Sequence, residues 1–400
     1  MKVALITEIL PWPLDNAPKI RLYEELKILS KNNEVDLFCF LPLDAKPDWI
    51  SKVESLGVNV FAVRMKGDKV KRVWRMAESF FSKYPHYFSK WDDSRLNDVL
   101  LKRMKIKSYD LFHVDHTQMS GYLPKEYRSR AILVVHNIEH ILFARYANVA
   151  PMAYRPLLLR EANKIRKCEL SIWRDFLKLV CMTEHDRSLI LNMTGKNEGD
   201  VISIPTCVNT DYFKPAGLQK RKYPALVFTG DFKWAPTRDG LRWFLKEIFP
   251  LVIAKVRDVK VHIIGPFEKR DCRKFASKSA IFSGLVSDVR PYLEQSWLFV
   301  NPLRVAAGIR TRLLHALSMG LCAVSTTTGF EGLDDALKEF VWCEENADAF
   351  AERCIELLNN PSLLIEKGAN ARKIVAEHYG LDSFKNLWLN FYSAIESILL

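Results

Sequence analysis

The sequence predicts an α/β protein made of two successive domains, each a parallel sheet with helices on both faces. Three observations carry that class. Short apolar segments alternate with segments of helical periodicity along almost the whole chain, and strand, helix, strand order of this kind builds a parallel sheet. The chain has 400 residues, more than one hydrophobic core serves well, so two domains of about 150 to 200 residues are expected. A stretch rich in Pro, Gly and charge, from Ile204-Pro205 through Pro215-Ala216-Gly217 to Lys220-Arg221-Lys222, breaks the alternation near the middle.

In the first half Lys2 to Thr7, Val35 to Leu41, Val58 to Val63, Leu111 to Val114, Ala131 to Val135 and Leu179 to Met182 read as strands, and Ile20 to Leu29 as a helix. The opening segment is expected to be a strand rather than a signal peptide, because Thr7, Glu8 and Pro11 interrupt the apolar run behind Lys2. Beyond the connector the strands are Ala225 to Thr229, Val261 to Ile264, Leu298 to Val300, Ala323 to Thr326 and Phe340 to Trp342, with helices near 239–254, 308–319, 346–358 and 362–377. The apolar, aromatic stretch from Phe384 to Leu400 reads as a helix that packs back onto the first domain. The expected division is a first domain 1–204, a linker 205–224, a second domain 225–383 and the closing helix 384–400. Both halves are then Rossmann-like, and such sheets hold ligands at the carboxyl ends of their strands.

Composition narrows the class further. Hydrophobic residues at 48% and charged ones at 26% exclude wholesale disorder, and no run of about 18 apolar residues offers a membrane-spanning helix. The eight cysteines form no Cys-x-x-Cys pair and sit mostly in apolar stretches such as Leu37-Phe38-Cys39-Phe40, which points to a reducing, cytoplasmic compartment. The net charge of +12 favours polyanions, and half of it lies between Arg64 and Lys90. There Val70, Val73, Trp74, Ala77 and Phe81 recur at helical spacing with Lys69, Arg72 and Arg75 off the stripe, followed by Phe80, Tyr84, Tyr87, Phe88 and Trp91. The stretch 64–91 reads either as a core-packed helix with a solvated basic face or as an anchor to anionic membrane; the anchor, at the inner face of the membrane, is the expectation carried forward. No nucleic-acid motif accompanies the charge, so nucleic acid is not an expected partner.

Several phrases of the second half fit a known family. They are Phe228-Thr229-Gly230-Asp231-Phe232-Lys233-Trp234-Ala235-Pro236, Gly284-Leu285-Val286-Ser287-Asp288-Val289-Arg290-Pro291, Asn301-Pro302-Leu303-Arg304 leading to Gly308-Ile309-Arg310-Thr311-Arg312, and Gly329-Phe330-Glu331-Gly332-Leu333. With Val208-Asn209-Thr210-Asp211-Tyr212-Phe213-Lys214-Pro215 between the domains, they resemble retaining GT-B glycosyltransferases of the group 1 type. Pro11-Trp12-Pro13, Arg21 and Val134-Val135-His136-Asn137-Ile138-Glu139 look like the subgroup that builds bacterial exopolysaccharides. The resemblance implies a GT-B fold of two facing Rossmann-like domains with the last helix returning across the cleft. It implies a metal-independent enzyme that moves a sugar, with retention, from a nucleotide-diphosphate donor, a UDP-sugar being expected, to a glycan or lipid-linked acceptor in polysaccharide synthesis.

Residue by residue, the resemblance gives the first domain the acceptor and His136, which contacts the donor sugar, and gives the second domain the nucleotide, held by Gly230, Arg310, Arg312 and His315. Glu331 either faces donor hydroxyls or caps a helix. Physical chemistry supports the phosphate assignment independently. A helix starting near Gly308 directs unpaired N–H groups and the positive end of its dipole outward, and guanidinium groups beside it grip phosphate oxygens in pairs.

The sequence also departs from the family. His315 stands where relatives carry a ribose-holding glutamate, Ala307 where they carry a second one, and Ala17-Pro18 where they have paired glycines, so a weakened GT-B scaffold subunit is an alternative. A rival class is a zinc peptidase, since His136-Asn137-Ile138-Glu139-His140 spells H-x-x-E-H, with His113, Asp115 and His116 as further ligands. That chemistry requires both histidines on one helical face.

Overall fold

The structure is a computed structural model that describes residues 1–65, 82, 84–217 and 224–399. Its first sheet has seven parallel strands, β1 (Lys2–Ile9), β2 (Glu34–Leu41), β3 (Val58–Arg64), β4 (Leu111–Asp115), β5 (Ala131–Val135), β6 (Lys178–Cys181) and β7 (Val201–Ser203), in the order β3-β2-β1-β4-β5-β6-β7. Its second has six, β8 (Ala225–Thr229), β9 (Lys260–Ile264), β10 (Ala280–Gly284), β11 (Leu298–Asn301), β12 (Cys322–Ser325) and β13 (Val341–Cys343), in the order β10-β9-β8-β11-β12-β13. In both, the chain starts at a central strand, winds outward, then returns to the other side. That reversal lies between β1 and β4 in one sheet and between β8 and β11 in the other, and it opens a crevice at the strands' carboxyl ends.

The near-continuous apolar strands are explained by burial on two faces. On β4, Phe112 and Val114 join the main core with Leu133, Trp173 and Phe176, whereas His113 and Asp115, two residues apart, share the opposite face. Asp36 on β2 is another buried charge; burial alone would raise its pKa, but donors from Lys107, Tyr109, Asn59 and Arg103 hold it down to about 2.

The chain divides into two compact units: Met1–Ala147, Met152–Cys207 and Phe384–Leu400 form the first, and Asn148–Pro151 with Val208–Ser383 the second. Phe384–Leu400 packs in the first unit, where Trp388 and Tyr392 are buried. Of the segment read as a linker, Val208–Pro215 is held by the second unit: Arg372 donates to the carbonyls of Phe213, Ser318 and Thr210 at 2.7, 2.6 and 2.9 Å. The helix expected near 239–254 runs as Ala235–Trp243, a π turn at Phe244–Ile248 and Phe249–Lys255. Pro250, inside it, has no N–H and crowds the preceding turn, which the wider π turn accommodates.

Most of the basic stretch expected to face a membrane, 66–81 and 83, lies outside the described residues. Among its described members, Phe88 and Trp91 are 1% and 6% exposed and belong to the first unit's core, so they are not interfacial aromatics. No helix of the described residues is long and apolar enough to cross a membrane.

Candidate active site

In the first unit the site grows from the reversal between β1 and β4. The register pairs Ile6 with Val114, so Thr7 and Asp115 follow side by side, and Thr7 Oγ1 donates to Asp115 Oδ2 at 2.9 Å. β5 lies beyond β4, and His136, the first residue after it, brings Nε2 to 2.7 Å from Asp115 Oδ1. His116 comes back to the same carboxylate from the other side, its Nδ1 3.1 Å from Oδ2. The imidazoles of His116 and His136 then lie parallel, centroids 3.8 Å apart and planes 7° off.

Holding His116 there has a cost. Its φ of 80° and ψ of 135° lie where a side chain is crowded by its own backbone, a conformation that costs about 1 to 3 kcal/mol in a non-glycine residue. Burial disfavours a charge on His116, but the negative charge of Asp115, with Glu8 and Glu139 behind it, raises its pKa to about 9. For His136, burial and then the charge of His116 outweigh Asp115 and bring it down to about 4. Asp115 stays ionised despite its burial, because the two imidazoles hold it well below the usual carboxylate range.

Beneath this group, on the same face of β4, His113 Nδ1 lies 3.0 Å from the Tyr392 hydroxyl, which donates to Glu25 Oε1 at 2.7 Å. Arg21 pairs with Glu25 at 3.2 Å and lies over the Trp388 ring. Burial drives the Glu25 pKa up to about 8 against the pull of Arg21. This buried network ties Ala17–Leu29, a helix capped by Asn16, to the last helix, so the Ala17-Pro18 segment starts a helix and Arg21 serves packing.

The zinc-peptidase geometry does not form. His136 precedes the helix Glu139–Val149, while His140 lies in its first turn and bonds Glu169 at 2.5 Å, so the two histidines serve different carboxylates. Glu169 also accepts from the backbone N–H groups of Glu139 and His140, capping that helix. Glu139 faces Glu169; burial and that neighbour raise its pKa to about 7. Among the described residues the side chains that approach closely enough to hold a cation are Asp115, His116 and His136.

In the second unit the corresponding reversal gathers the turns after β8, β9, β11 and β12. Gly230 follows β8 and Gly265 follows β9; a Cβ on Gly265, at φ 130°, would stand 1.8 Å from the Gly230 carbonyl, so two glycines allow the strand ends to meet. Beyond β11, Gly308 turns the chain at φ 69° and Arg310 becomes the N-cap residue of the helix Thr311–Ser318, three residues later than expected. Arg310 folds its guanidinium onto the Gly308 carbonyl and so braces the turn. Arg312 is exposed on the first turn of that helix, and the charge of Asp231 acts on it.

His315 stacks on Phe213, centroids 3.9 Å apart and planes 11° off. Burial and the charge of Arg312 lower its pKa to about 3, so it is neutral at ordinary pH. Glu331 is half-buried at the C-terminal end of the short helix Thr327–Phe330, which Thr326 caps. Asn301 ties β11 to that helix, donating to Ser325 Oγ at 3.0 Å and to the Gly329 carbonyl at 2.9 Å. Gly230, Arg310, Arg312 and Glu331 therefore all lie in turns or helix ends beyond the carboxyl ends of β8, β11 and β12, and His315 lies one turn further along its helix.

Sequence reasoning passed over Asp115 and His116 except as zinc ligands, named Asp231 and Asn301 only within the family phrases and gave them no role, and did not name Gly265. The available signal was position: each is the last residue of a parallel strand or lies within two residues of its carboxyl end.

Comparison with known proteins places this geometry. Residues 223–360 match the family of glycosyl transferases group 1. A 44.6 kDa protein in the cps region of Klebsiella pneumoniae is 24% identical over 163 residues, covering 38% of this chain and 42% of that protein, less than half the length of the curated relative. Among solved structures, HepE of Anabaena in complex with UDP superposes with a TM-score of 0.67 at 10% identity, over 98% of this chain and 100% of that one. Sucrose-phosphate synthase of Thermosynechococcus elongatus gives 0.70 at 13% identity over 99% of both chains, and a glycosyltransferase of Rickettsia africae 0.63 at 14% over 98% of both. The fold is GT-B, with two Rossmann-like domains. Residues 223–360 are a glycosyltransferase group 1 domain within it.

Proposed function

We propose that this chain is a glycosyltransferase that moves a sugar from a nucleotide-diphosphate donor to a glycan or lipid-linked acceptor in cell-surface polysaccharide synthesis. The observation that carries the reading is the group 1 domain at 223–360, whose strand ends bring Gly230 and the Gly308–Arg312 turn to one edge of a parallel sheet. The backbone N–H groups opening the helix Thr311–Ser318, with Arg310 and Arg312, are the groups suited to a diphosphate. They stabilise the negative charge that grows on the leaving nucleotide as the glycosidic bond breaks, the task a metal performs elsewhere. HepE binds UDP and UDP-glucose, which supports a UDP-sugar as donor; the Klebsiella protein's place in a cps region supports a surface polysaccharide as product. His136 is assigned to the donor sugar and Glu331 to its hydroxyls. Retention of configuration follows the family resemblance.

Thermal shift against UDP-, GDP- and dTDP-sugars, followed by donor-dependent release of the nucleoside diphosphate on adding acceptor, tests the reading. A donor at 100 times its Kd is expected to stabilise the chain by about 2.7 kcal/mol. Binding without release would favour a second reading, a weakened scaffold subunit, which the stacking of His315 on Phe213 supports. No shift with any nucleotide sugar would defeat both. Peripheral attachment to anionic membrane through 64–91 belongs to the same proposal; flotation with anionic but not neutral vesicles, weakened by salt, is the expected result.

A further inference from the structure

We propose that residues 152–160 form an interfacial wedge that enters an anionic lipid bilayer and turns the carboxyl ends of the first sheet toward it. This surface is distinct from the stretch 64–91, and the inference rests on no assignment of donor or acceptor.

Length sets the geometry. The helix Arg155–Asp175 has 21 residues and spans about 31 Å. It leads into β6 against the strand direction, whereas β5 and β6, with five and four residues, reach only about 13 to 17 Å. Leu177, just past the end of this helix, donates its N–H to the carbonyls of Arg128 and Ala131 at the start of β5, so the surplus length emerges at the other end of the sheet, where His136 stands. Glu169, which accepts from the Glu139 N–H, marks the level of that end; Leu157 precedes it by three turns and lies about 18 Å further out.

The overhang is apolar. Met152 and Tyr154 are 80% and 60% exposed, Leu157 and Leu159 49% and 43%. These four large side chains fall within eight positions, and no other eight consecutive described positions hold more than two exposed large hydrophobics. Scattered apolar side chains are ordinary on a surface, but a concentration of them marks a contact site. The face that this helix turns to the core is Ala162, Ile165, Glu169 and Trp173, and it begins only after Arg160. Before it, every residue of 151–160 except the half-buried Leu158 is exposed. A protrusion exposed on all sides suits a medium that surrounds it, as a bilayer does, better than one flat protein face.

Charge selects the lipid. Between 141 and 168 stand Arg145, Arg155, Arg160, Lys164, Arg166 and Lys167 against one acid, Glu161. Glu161 is half-buried and accepts from the Tyr87 N–H at 3.1 Å, so it does little to offset them at the surface. Arg155, Arg160, Arg166 and Lys167 are exposed on the wedge and along the helix behind it, and basic groups beside inserted apolar ones favour anionic headgroups. Tyr154 adds a ring with a polar end, suited to the headgroup level.

Sedimentation of the full chain with phosphatidylcholine vesicles, with and without phosphatidylglycerol, tests this. Wild type is expected to bind the anionic vesicles more tightly, less so as salt rises, and amide hydrogen exchange of 152–160 is expected to slow on binding. Met152→Ser, Leu157→Ser and Leu159→Ser together should weaken binding by at least about tenfold at an unchanged melting temperature, since these side chains join no core. Arg155→Glu should reduce the preference for phosphatidylglycerol. A wild type that binds neither vesicle, or a triple variant that binds as wild type does, would overturn the proposal. So would loss of binding confined to Lys69→Glu, Arg72→Glu and Arg75→Glu, which would leave attachment to 64–91 alone. A wild type that dimerises without lipid, beside a triple variant that stays monomeric, would give the wedge to a second copy and overturn it as well. UDP binding is expected to be equal in all these chains, so its absence in wild type would defeat the glycosyl-transfer reading and leave the vesicle result standing.

Discussion

The two units place their candidate sites at the same topological point and build them from different materials. The first assembles buried ionisable side chains around one carboxylate: Asp115 with His116 and His136, and below them Glu25, Arg21 and His113. The second uses backbone, glycine and helix ends, with two arginines and little buried acid. A diphosphate is bound well by N–H groups and guanidinium, which keep their character at any ordinary pH. Orienting a sugar hydroxyl calls for a fixed tautomer, which in protein interiors depends on neighbouring charge. The comparison teaches that pH sensitivity should reside in the first unit and nucleotide affinity in the second, and each statement can be broken.

The sharpest break is at Asp115. Asp115→Ala removes the carboxylate that Thr7 and His136 bond and that faces His116 at ion-pair distance, leaving these groups without their partner, so a loss of about 3 to 5 kcal/mol in urea unfolding is expected. Asp115→Asn, which keeps one acceptor, should lose less while still removing the charge. Equal and small losses in both would mean that the cluster contributes nothing to the fold.

In the second unit Arg310→Ala is expected to weaken UDP binding by about ten to a hundredfold, the value of a charge-assisted bond of roughly 1.5 to 3 kcal/mol. Arg310→Lys should recover only part, since lysine can neither fork onto phosphate nor reproduce the bond to the Gly308 carbonyl that braces the turn. Calorimetry with UDP decides this, and an Ala variant of unchanged affinity would remove Arg310 from the site.

These differences also explain what could be read in advance. Gly230, the Gly308–Arg312 turn and Glu331 lie in continuous phrases whose chemistry is local, so they stood out in the sequence. The alternation of apolar strands and helices likewise foretold most of both sheets. The exceptions, β7 and β10, are short: Val201–Ser203 has three residues, and Ala280–Gly284 carries Ser283 and Gly284, so neither offers a clear apolar run. The first unit's cluster was illegible for another reason. Thr7 and Asp115 are 108 residues apart and Glu25 and Tyr392 are 367 apart, and only the pairing of β1 with β4 and the return of the last helix bring them together. His140 misled because its spacing from His136 suits a helix, while the helix begins only at Glu139.

The pH prediction sharpens the comparison. His116, raised to about 9, contributes stability that is complete below about 6.5 and lost as pH climbs through 9. Glu25, raised to about 8, keeps in the folded state a proton that the unfolded chain releases above about 4.5, so it lowers stability over the same rise. Together they predict a urea midpoint that falls between pH 6.5 and 9, with a slope of about 1.4 kcal/mol per pH unit for each proton. His116→Gly should flatten that fall by its own share. A level profile in wild type would show that these groups are not linked to folding as their surroundings imply.

The smallest expected effect is at His315, where packing and ligand contact compete for one ring. Stacked on Phe213, His315 contributes about 0.5 to 1.5 kcal/mol, so His315→Ala should lower stability by that order and His315→Phe should largely keep it. With its pKa lowered to about 3, the imidazole remains neutral from pH 5.5 to 8, and UDP affinity should not change with pH through this residue. A ribose role predicts that His315→Phe, which preserves the stack but offers no acceptor, binds UDP more weakly than wild type, and that His315→Glu binds at least as well. A packing role predicts unchanged affinity in His315→Phe and loss of stability in His315→Glu, since a carboxylate would be brought against an aromatic ring in a half-buried place. Titrating UDP into both variants beside their melting curves separates the two: affinity moving without stability assigns the ring to the nucleotide, and stability moving without affinity assigns it to the fold.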